Sequence, residues 1–157
     1  MPTSEVTRSQ TQGQREQEAK ALHTVFANAC SLYLMNRNFY WNASGPKQHT
    51  LKRVFKAHYT DLEETVDLLA TRMRAQGITI KCSCSDILEF STIHEPRNAD
   101  TVDMPNEAKT ANDDLIVSAR ASLDFFERNG DTKTLDLLFE IITTHLRFNQ
   151  TLSSLEA

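Results

Sequence analysis

The positions of glycine and proline constrain the fold of this 157-residue chain more than any other feature. Only four residues of each type are present, and the glycines divide the chain into a few long segments. Within those segments apolar residues recur at intervals of three and four, the spacing of one face of an α-helix, and none shows the alternation of a half-buried strand. The pattern predicts an all-α protein with glycines between its helices. These are Gly13, Gly45, Gly77 and Gly130.

These breaks define four long helices and a short one. The long helices are predicted at about 15–42, 46–76, 105–129 and 131–152. Ser44 is the candidate cap of the second long helix, and Ser85 is that of the short helix over 86–90. Residues 1–14 are rich in Ser, Thr and Gln and are predicted to form a flexible arm, which leaves 15–157 as one domain.

The connections between the helices predict the topology. Short connections at Gly45-Pro46 and at Gly130-Asp131 make the helices on either side antiparallel neighbours. The connection over 78–104 is long enough to run the length of a bundle, so it brings the third long helix in parallel to the second. A four-helix bundle with one long crossover is the ferritin-like arrangement.

Composition limits the function classes. The net charge of −4 argues against a basic nucleic-acid groove over the whole surface. No apolar run approaches the ~20 residues of a membrane span, and the polar N-terminal residues do not resemble a secretory signal, so a cytoplasmic protein without a membrane partner is expected. Cys30, Cys82 and Cys84 are expected to be free thiols. A zinc site at Cys82 and Cys84, with His94, would lack a fourth ligand.

A specific set of residues lies between Asn38 and Arg74. It reads Phe39-Tyr40-Trp41-Asn42-x-x-Gly45-Pro46 and then Leu51-x-x-x-Phe55-x-x-x-Tyr59-x-x-Leu62-x-x-x-x-Asp67-x-x-Ala70-x-Arg72. Two later segments are Glu89-Phe90-Ser91-Thr92-Ile93-His94-Glu95 and Asp131-x-x-Thr134-x-Asp136-Leu137. In these residues the chain resembles the Dps family (DNA-binding proteins from starved cells), the miniferritins of the ferritin-like superfamily, over roughly 15–155.

The resemblance implies a hollow dodecamer that oxidises Fe(II), preferentially with hydrogen peroxide, stores the ferric product and often binds DNA. It also implies ferroxidase sites at two-fold subunit interfaces. There, a histidine before the Trp-Asn pair joins a histidine and an aspartate of the second helix, and an aspartate and a glutamate of the partner's second helix complete the set. Imidazole nitrogens and carboxylate oxygens suit iron.

This chain departs from that ligand set at four of the five positions. Tyr40 and Lys52 stand where the family has its two histidines. Lys56 stands in place of its first aspartate and Thr71 in place of its glutamate, whereas Asp67 is kept. Two lysines one turn apart repel a metal cation and cannot coordinate it while protonated. The hypothesis is that a lysine ammonium occupies the place of iron and pairs with Asp67 across the dimer interface.

Other residues offer a displaced metal site. Glu63, Asp67 and Tyr40 are candidates for an oxygen-rich site, with His49 or His58 as the nitrogen donor. The alternative is that Glu63 is a surface or interface carboxylate and that His58 faces solvent. The sequence leaves both interpretations open.

The resemblance also indicates pore and DNA-binding positions. Asp131, Asp136 and Glu140 match family pore residues, where acidic side chains around a three-fold axis would attract cations. The compatible alternative for Asp131 is to cap the last helix. Arg8 and Arg15 are the DNA candidates of the N-terminal arm, but two cations opposed by nearby glutamates predict weak binding.

The leading interpretation is a Dps-like cage that sequesters iron or protects the cell without conventional Fe(II) oxidation. It forms a homo-oligomer, expected to be a dodecamer, or a mixed cage with an active subunit, and iron is the only cofactor expected. The two alternatives are a ferroxidase with displaced ligands and a DNA-compacting cage without an iron role. Whether the chain is an enzyme stays open.

Overall fold

The structure is a computed structural model that describes residues 11–94 and 99–155. Those residues contain five helices and no strand, so the predicted all-α bundle with a short helix in its crossover is confirmed. The helices are α1 (Gln12–Asn42), α2 (Gln48–Ala75), α3 (Cys84–Phe90), α4 (Met104–Arg128) and α5 (Thr132–Leu155). α1 packs along α2 and α4, α5 packs along α4 and α2, and α3 lies against α1. None of these helices is long and apolar enough to cross a membrane.

α1 begins three residues earlier than predicted because Thr11 and Gln14 form a capping box. The Gln14 amide donates to Thr11 Oγ1 at 3.3 Å, and the Thr11 amide donates to Gln14 Oε1 at 2.9 Å. Gly13 therefore lies inside the first helical turn rather than before it. Most of the predicted arm, residues 1–10, lies outside the described residues.

Two predicted caps are wrong. Ser44 does not cap α2, which begins at Gln48 after a cap residue without a side-chain bond; the Ser44 amide instead donates to Thr101 Oγ1 at 3.1 Å. Ser83 caps α3 in place of Ser85. The Ser83 hydroxyl accepts from the Asp86 amide at 3.1 Å, and the Asp86 carboxylate accepts from the Ser83 amide. The three-residue spacing of the Ser83 box satisfies two amides, and this decides between the serines.

Glycines end α2 and α4 as predicted. After α2, Gly77 has φ +77°, and the amide of Ile78 donates to the carbonyl of Met73 at 3.0 Å. Gly130 has φ +70° and ends α4 in the same way. This is the Schellman arrangement, in which a left-handed residue lets the chain fold back and satisfy the last helical carbonyls.

Asn28 fixes the crossover to the bundle. This buried side chain on α1 accepts from the Thr92 amide at 2.8 Å and from the Ser91 hydroxyl at 3.0 Å, and it donates to Ser118 of α4 at 3.1 Å. One amide thus joins α1, α4 and the residues after α3. The described part of the crossover is consequently held against α1, where it forms one wall of the cavity considered below.

Candidate functional site

The five ferroxidase-equivalent residues lie at the end of α1 and along α2. The Tyr40 ring is half-buried and meets the Tyr59 ring edge-on, with centroids 5.6 Å apart. Lys52 is half-buried, and the remaining three residues are exposed. These are Lys56, Asp67 and Thr71. The structure therefore places the lysines and Asp67 on one helix with their side chains available to a neighbouring molecule.

Helix geometry separates the two lysines from Asp67 within one chain. At 1.5 Å per residue, Asp67 lies about 16 Å from Lys56 and about 22 Å from Lys52 along α2. Neither lysine lies within ion-pairing distance of a carboxylate in the described ranges, 11–94 and 99–155. A pair between either lysine and an Asp67 carboxylate consequently requires a second copy of the chain.

An arginine that the sequence did not single out stacks on aromatic rings at the end of α1. The Arg37 guanidinium lies 4.6 Å from the Tyr59 ring centre and 5.3 Å from that of Trp41, and it donates to Tyr33 Oη at 2.9 Å. The four-residue spacing of Tyr33, Arg37 and Trp41 could have revealed this stack. Arg37 thus stacks on Tyr59, the same ring that Tyr40 meets edge-on.

A cavity of about 930 Å³ lies between α1, α2 and the crossover. Its walls include Glu63 and Asp67, one turn apart on α2, and His94 after α3. Cysteines contribute further side chains, namely Cys30, Cys82 and Cys84. Within the two described ranges, however, no three His, Cys, Asp or Glu side chains are grouped so that they could hold a metal ion.

The displaced metal site is not assembled in one chain. Glu63 and Asp67 share the cavity, but His49 lies in the first turn of α2, about 21 Å before Glu63 along the axis. His58 is not a donor for this site and does not face solvent as the alternative predicted: it is 1 % exposed, in the bundle core. Both expectations for His58 are corrected.

His58 belongs to a stripe that the sequence displays. The buried residues of α2 follow a regular spacing of three and four, and His58 is the third of them. They are Leu51, Phe55, His58, Leu62, Thr65, Leu69 and Met73. Tyr59 is also partly apolar, so the sequence allows a stripe that contains Tyr59 instead of His58. That assignment placed His58 on the solvent-exposed face.

In the core, His58 forms a buried pair with His145 of α5. His58 Nδ1 donates to Asn36 Oδ1 at 3.0 Å, since the amide nitrogen of Asn36 is already bonded to a carbonyl. The Nδ1–H of His145 points to Asn112 Oδ1 at 2.6 Å and also faces His58 Nε2 at 3.3 Å. Phe148 stacks on His58 with ring centres 3.2 Å apart.

Both histidines resist protonation. Burial lowers the pKa of His145 from 6.5 to about 4. The pKa of His58 lies well below its ordinary value because of burial and, secondly, the charge that His145 would carry. His145 Nε2 is buried without a hydrogen-bond partner among the described residues. A neutral pair with hydrogen atoms on both Nδ1 atoms fits these contacts.

Asp131 is committed to bonds within the subunit. Its carboxylate forms an ion pair with Arg72 at 2.8 Å and accepts from Gln76 Nε2 at 2.7 Å. It also accepts from the Thr134 amide at 3.1 Å, so its predicted role as the cap of α5 is confirmed. Asp136 and Glu140 are exposed one turn apart on α5, and their pore role stays a prediction.

Of the two DNA candidates, only Arg15 lies in the described part of the chain. It is exposed near the start of α1. Arg8 lies outside the described residues. The prediction that the arm binds DNA weakly therefore stays a prediction.

Comparison with known proteins relates this arrangement to one family. The profile named Ferritin, described as a ferritin-like domain, matches residues 19–156. "DNA protection during starvation protein 2" of Bacillus anthracis is 27% identical over 129 residues, which cover 82% of this chain and 88% of that protein.

Two solved structures are similar throughout. The Dps protein of Vibrio cholerae, described as a member of a broad superfamily of ferritin-like diiron-carboxylate proteins, superposes with a TM-score of 0.87 at 25% identity, over 92% of each chain. Dps of Thermosynechococcus elongatus also has a TM-score of 0.87, at 23% identity, over 92% of this chain and 93% of its own. The second likeness concerns the fold alone.

Proposed function

Because this chain belongs to the ferritin-like family, as a Dps-family miniferritin, we propose that it forms a cage that sequesters iron and protects the cell under stress. In this proposal the cage has no conventional ferroxidase centre, and its two-fold interfaces are held by lysine–aspartate pairs. The observation that carries it is the pair Lys52 and Lys56 on one side of α2, where the family resemblance implies iron ligands.

The charge pattern supports such a pair. A lysine side chain donates hydrogen bonds but offers no lone pair to a metal while protonated. Both lysines lack a carboxylate partner among the described residues of their own chain, and Asp67 is exposed on the same helix. In a two-fold arrangement α2 of a second subunit runs in the opposite direction, and its Asp67 can then approach the lysine end of the first α2. Two such pairs form at each interface, one on either side of the axis.

Exposed apolar side chains support assembly. Leu88 of α3 is 81 % exposed, and Leu34 of α1 is 57 % exposed beside the same cavity. Trp41 is 62 % exposed next to Tyr40. Large exposed apolar groups that line a cavity together, as Leu34 and Leu88 do, mark an interaction surface. We propose the dodecamer that the family resemblance implies, and a mixed cage with an active subunit is the alternative.

Restoring the family's ligands is the direct test of the missing ferroxidase centre. The restored variant carries Tyr40→His, Lys52→His, Lys56→Asp and Thr71→Glu. The cage is mixed with Fe(II) and hydrogen peroxide without oxygen, and ferric product is followed by absorbance. We expect the native protein to oxidise Fe(II) no faster than a protein-free solution, whereas the restored variant oxidises it at least several-fold faster. Arg53→His, an exposed change on the same helix, is the control.

A second candidate function is oxidation through displaced ligands. Glu63 and Asp67 line one cavity, and a second subunit could supply nitrogen donors to it. Fast oxidation by the native protein that Asp67→Ala abolishes would establish this candidate and overturn the first. Native mass spectrometry of the purified protein gives the number of subunits and reveals a mixed cage if one forms.

Iron entry would use the exposed carboxylates of α5. Asp136 and Glu140 lie one turn apart and are not committed to ion pairs within the described residues. Acidic side chains repeated around a three-fold axis would raise the local concentration of Fe(II). We propose that iron reaches the interior there. Asp136→Asn combined with Glu140→Gln should then reduce the iron retained per cage after loading and gel filtration, while subunit assembly stays unchanged.

A further inference from the structure

All three cysteines of the chain line the cavity between α1, α2 and the crossover. Cys30 lies on α1, Cys82 lies just before α3, and Cys84 is the first residue of α3. Cys30 comes from a different helix and is far from the other two in sequence, so only the packing of the crossover on α1 brings the thiols together. Asn28, two residues before Cys30 on α1, fixes that packing.

Cys30 and Cys82 face this cavity from separate elements, Cys30 from α1 and Cys82 from the segment before α3. Burial is the main reason that the pKa of Cys30 rises to about 12, and the charge and hydrogen bond of Cys82 act in the same direction. Cys30 is half-buried, whereas Cys82 is exposed. The two thiols thus differ: one stays protonated and shielded, and the other is open to reagents.

We propose that Cys30 and Cys82 form a dithiol that hydrogen peroxide oxidises to a disulfide within one subunit. Of the two, Cys82 reacts first, because its sulfur is exposed whereas that of Cys30 is half-buried. Its sulfur attacks one oxygen of the peroxide, the O–O bond breaks, and the departing hydroxide takes up a proton as water. The product is a sulfenic acid on Cys82.

Cys30 completes the reaction. Its sulfur attacks the sulfenic sulfur, the S–O bond breaks, and the departing hydroxide takes the thiol proton of Cys30 as a second water. Two thiols lose two electrons and one peroxide gains them, so no further reagent is required.

Cys84 is the competing partner, and the backbone disfavours it. Ser83, the one residue between Cys82 and Cys84, is held as the cap of α3 by two hydrogen bonds with Asp86. A disulfide needs a particular separation and direction of the two Cβ atoms. Bridging Cys82 to Cys84 would have to rearrange this cap, whereas Cys30 and Cys82 already face one cavity from separate elements. The geometry therefore selects Cys30.

Thiol counting and peptide mapping test the proposal on the assembled protein. One equivalent of hydrogen peroxide per subunit is added with a metal chelator, so that the result does not depend on iron. We expect free thiols to fall from three to one per subunit, and mapping without reductant should join the peptides of Cys30 and Cys82. Links to Cys84, links between subunits, or three remaining thiols would each overturn it.

Variants separate the roles of the thiols. Cys84→Ser is the matched control from the same cavity, and its two remaining thiols should still form the link. Cys30→Ser should leave a sulfenic acid on Cys82 that a 1,3-diketone traps. Cys82→Ser, an exposed change, should leave the other two thiols unoxidised. A lower helical circular dichroism signal of Cys30→Ser would mean that this variant is not folded normally. The result with Cys82→Ser then decides, and loss of two thiols in Cys82→Ser overturns the proposal.

Discussion

The buried pair His58–His145 predicts that the bundle loses stability in mild acid. Both side chains are neutral in the folded protein, and burial lowers the pKa of His145 from 6.5 to about 4. In the unfolded chain the same group takes up a proton near its ordinary value of 6.5. Between these two values the unfolded state binds more protons, so stability is complete above pH 6.5 and falls as the pH is lowered.

The magnitude follows from the size of the shift. Each pH unit below 6.5 lowers the free energy of unfolding by about 1.4 kcal/mol per group until the folded group also titrates. At about pH 5, His145 alone should thus account for a loss of about 2 kcal/mol relative to about pH 8. His58 acts in the same direction because its pKa is also lowered, first by burial and then by His145.

His145→Asn isolates this contribution. An asparagine amide can replace the Nδ1–H donor that faces Asn112 Oδ1, but it does not titrate. The variant will be less stable at every pH because the smaller side chain leaves a cavity. The decisive quantity is therefore the change in stability between about pH 8 and about pH 5, which should be smaller in the variant by about 2 kcal/mol.

Urea denaturation followed by far-UV circular dichroism measures this change at a fixed protein concentration, because assembly contributes to stability. His49→Asn, at an exposed position of α2, is the control and should keep the pH dependence of the native protein. Equal losses of stability in the native protein and in His145→Asn would refute the reasoning, since the buried histidine would then not be the group that resists protonation.

Two further predictions follow from the ion pair and the charge. Asp131→Ala removes the cap of α5 and leaves Arg72 half-buried without its carboxylate, so it should lower the free energy of unfolding by about 2–3 kcal/mol. The exposed change Asp136→Ala should alter it by no more than about 0.5 kcal/mol in the same denaturation experiment, and equal effects would contradict the structure. Gel retardation at physiological salt should show no stable complex with DNA, because the chain is acidic overall with a net charge of −4. A complex that disappears with Arg15→Ala would show that the arm binds DNA after all.

Much of the fold could be predicted, because the signals for a helix lie in residues that are close together in the sequence. The spacing of apolar residues gave α1, α2, α4 and α5, and the length of the crossover gave their directions. The wrong predictions concern the residues that cap the helices, because one side-chain hydrogen bond determines which residue is the cap. Ser83 and Ser85 are both good capping residues, but only Ser83 has Asp86 three residues later to complete the box. That signal was present in the sequence.

For the candidate site, the sequence predicted the types of residue present but not their arrangement. The family resemblance implies five ligand positions, and at two of them this chain has Lys52 and Lys56 where the family has metal ligands. The sequence did not reveal that Tyr59 of α2 joins the Arg37 stack or that a cavity brings the cysteines together. Both depend on which turns of separate elements meet, and this is set by packing rather than by local sequence.

By itself, then, the sequence determined the helical class and the single long crossover, because both follow from the spacing and type of nearby residues. The resemblance to Dps proteins added the prediction that the usual iron ligands are replaced. Only the tertiary structure decided that His58 and His145 form a neutral pair in the core and that Cys30 and Cys82 line one cavity. These contacts join residues far apart in the chain. Their properties arise from burial and from the opposing side chain, and neither exists until the helices pack.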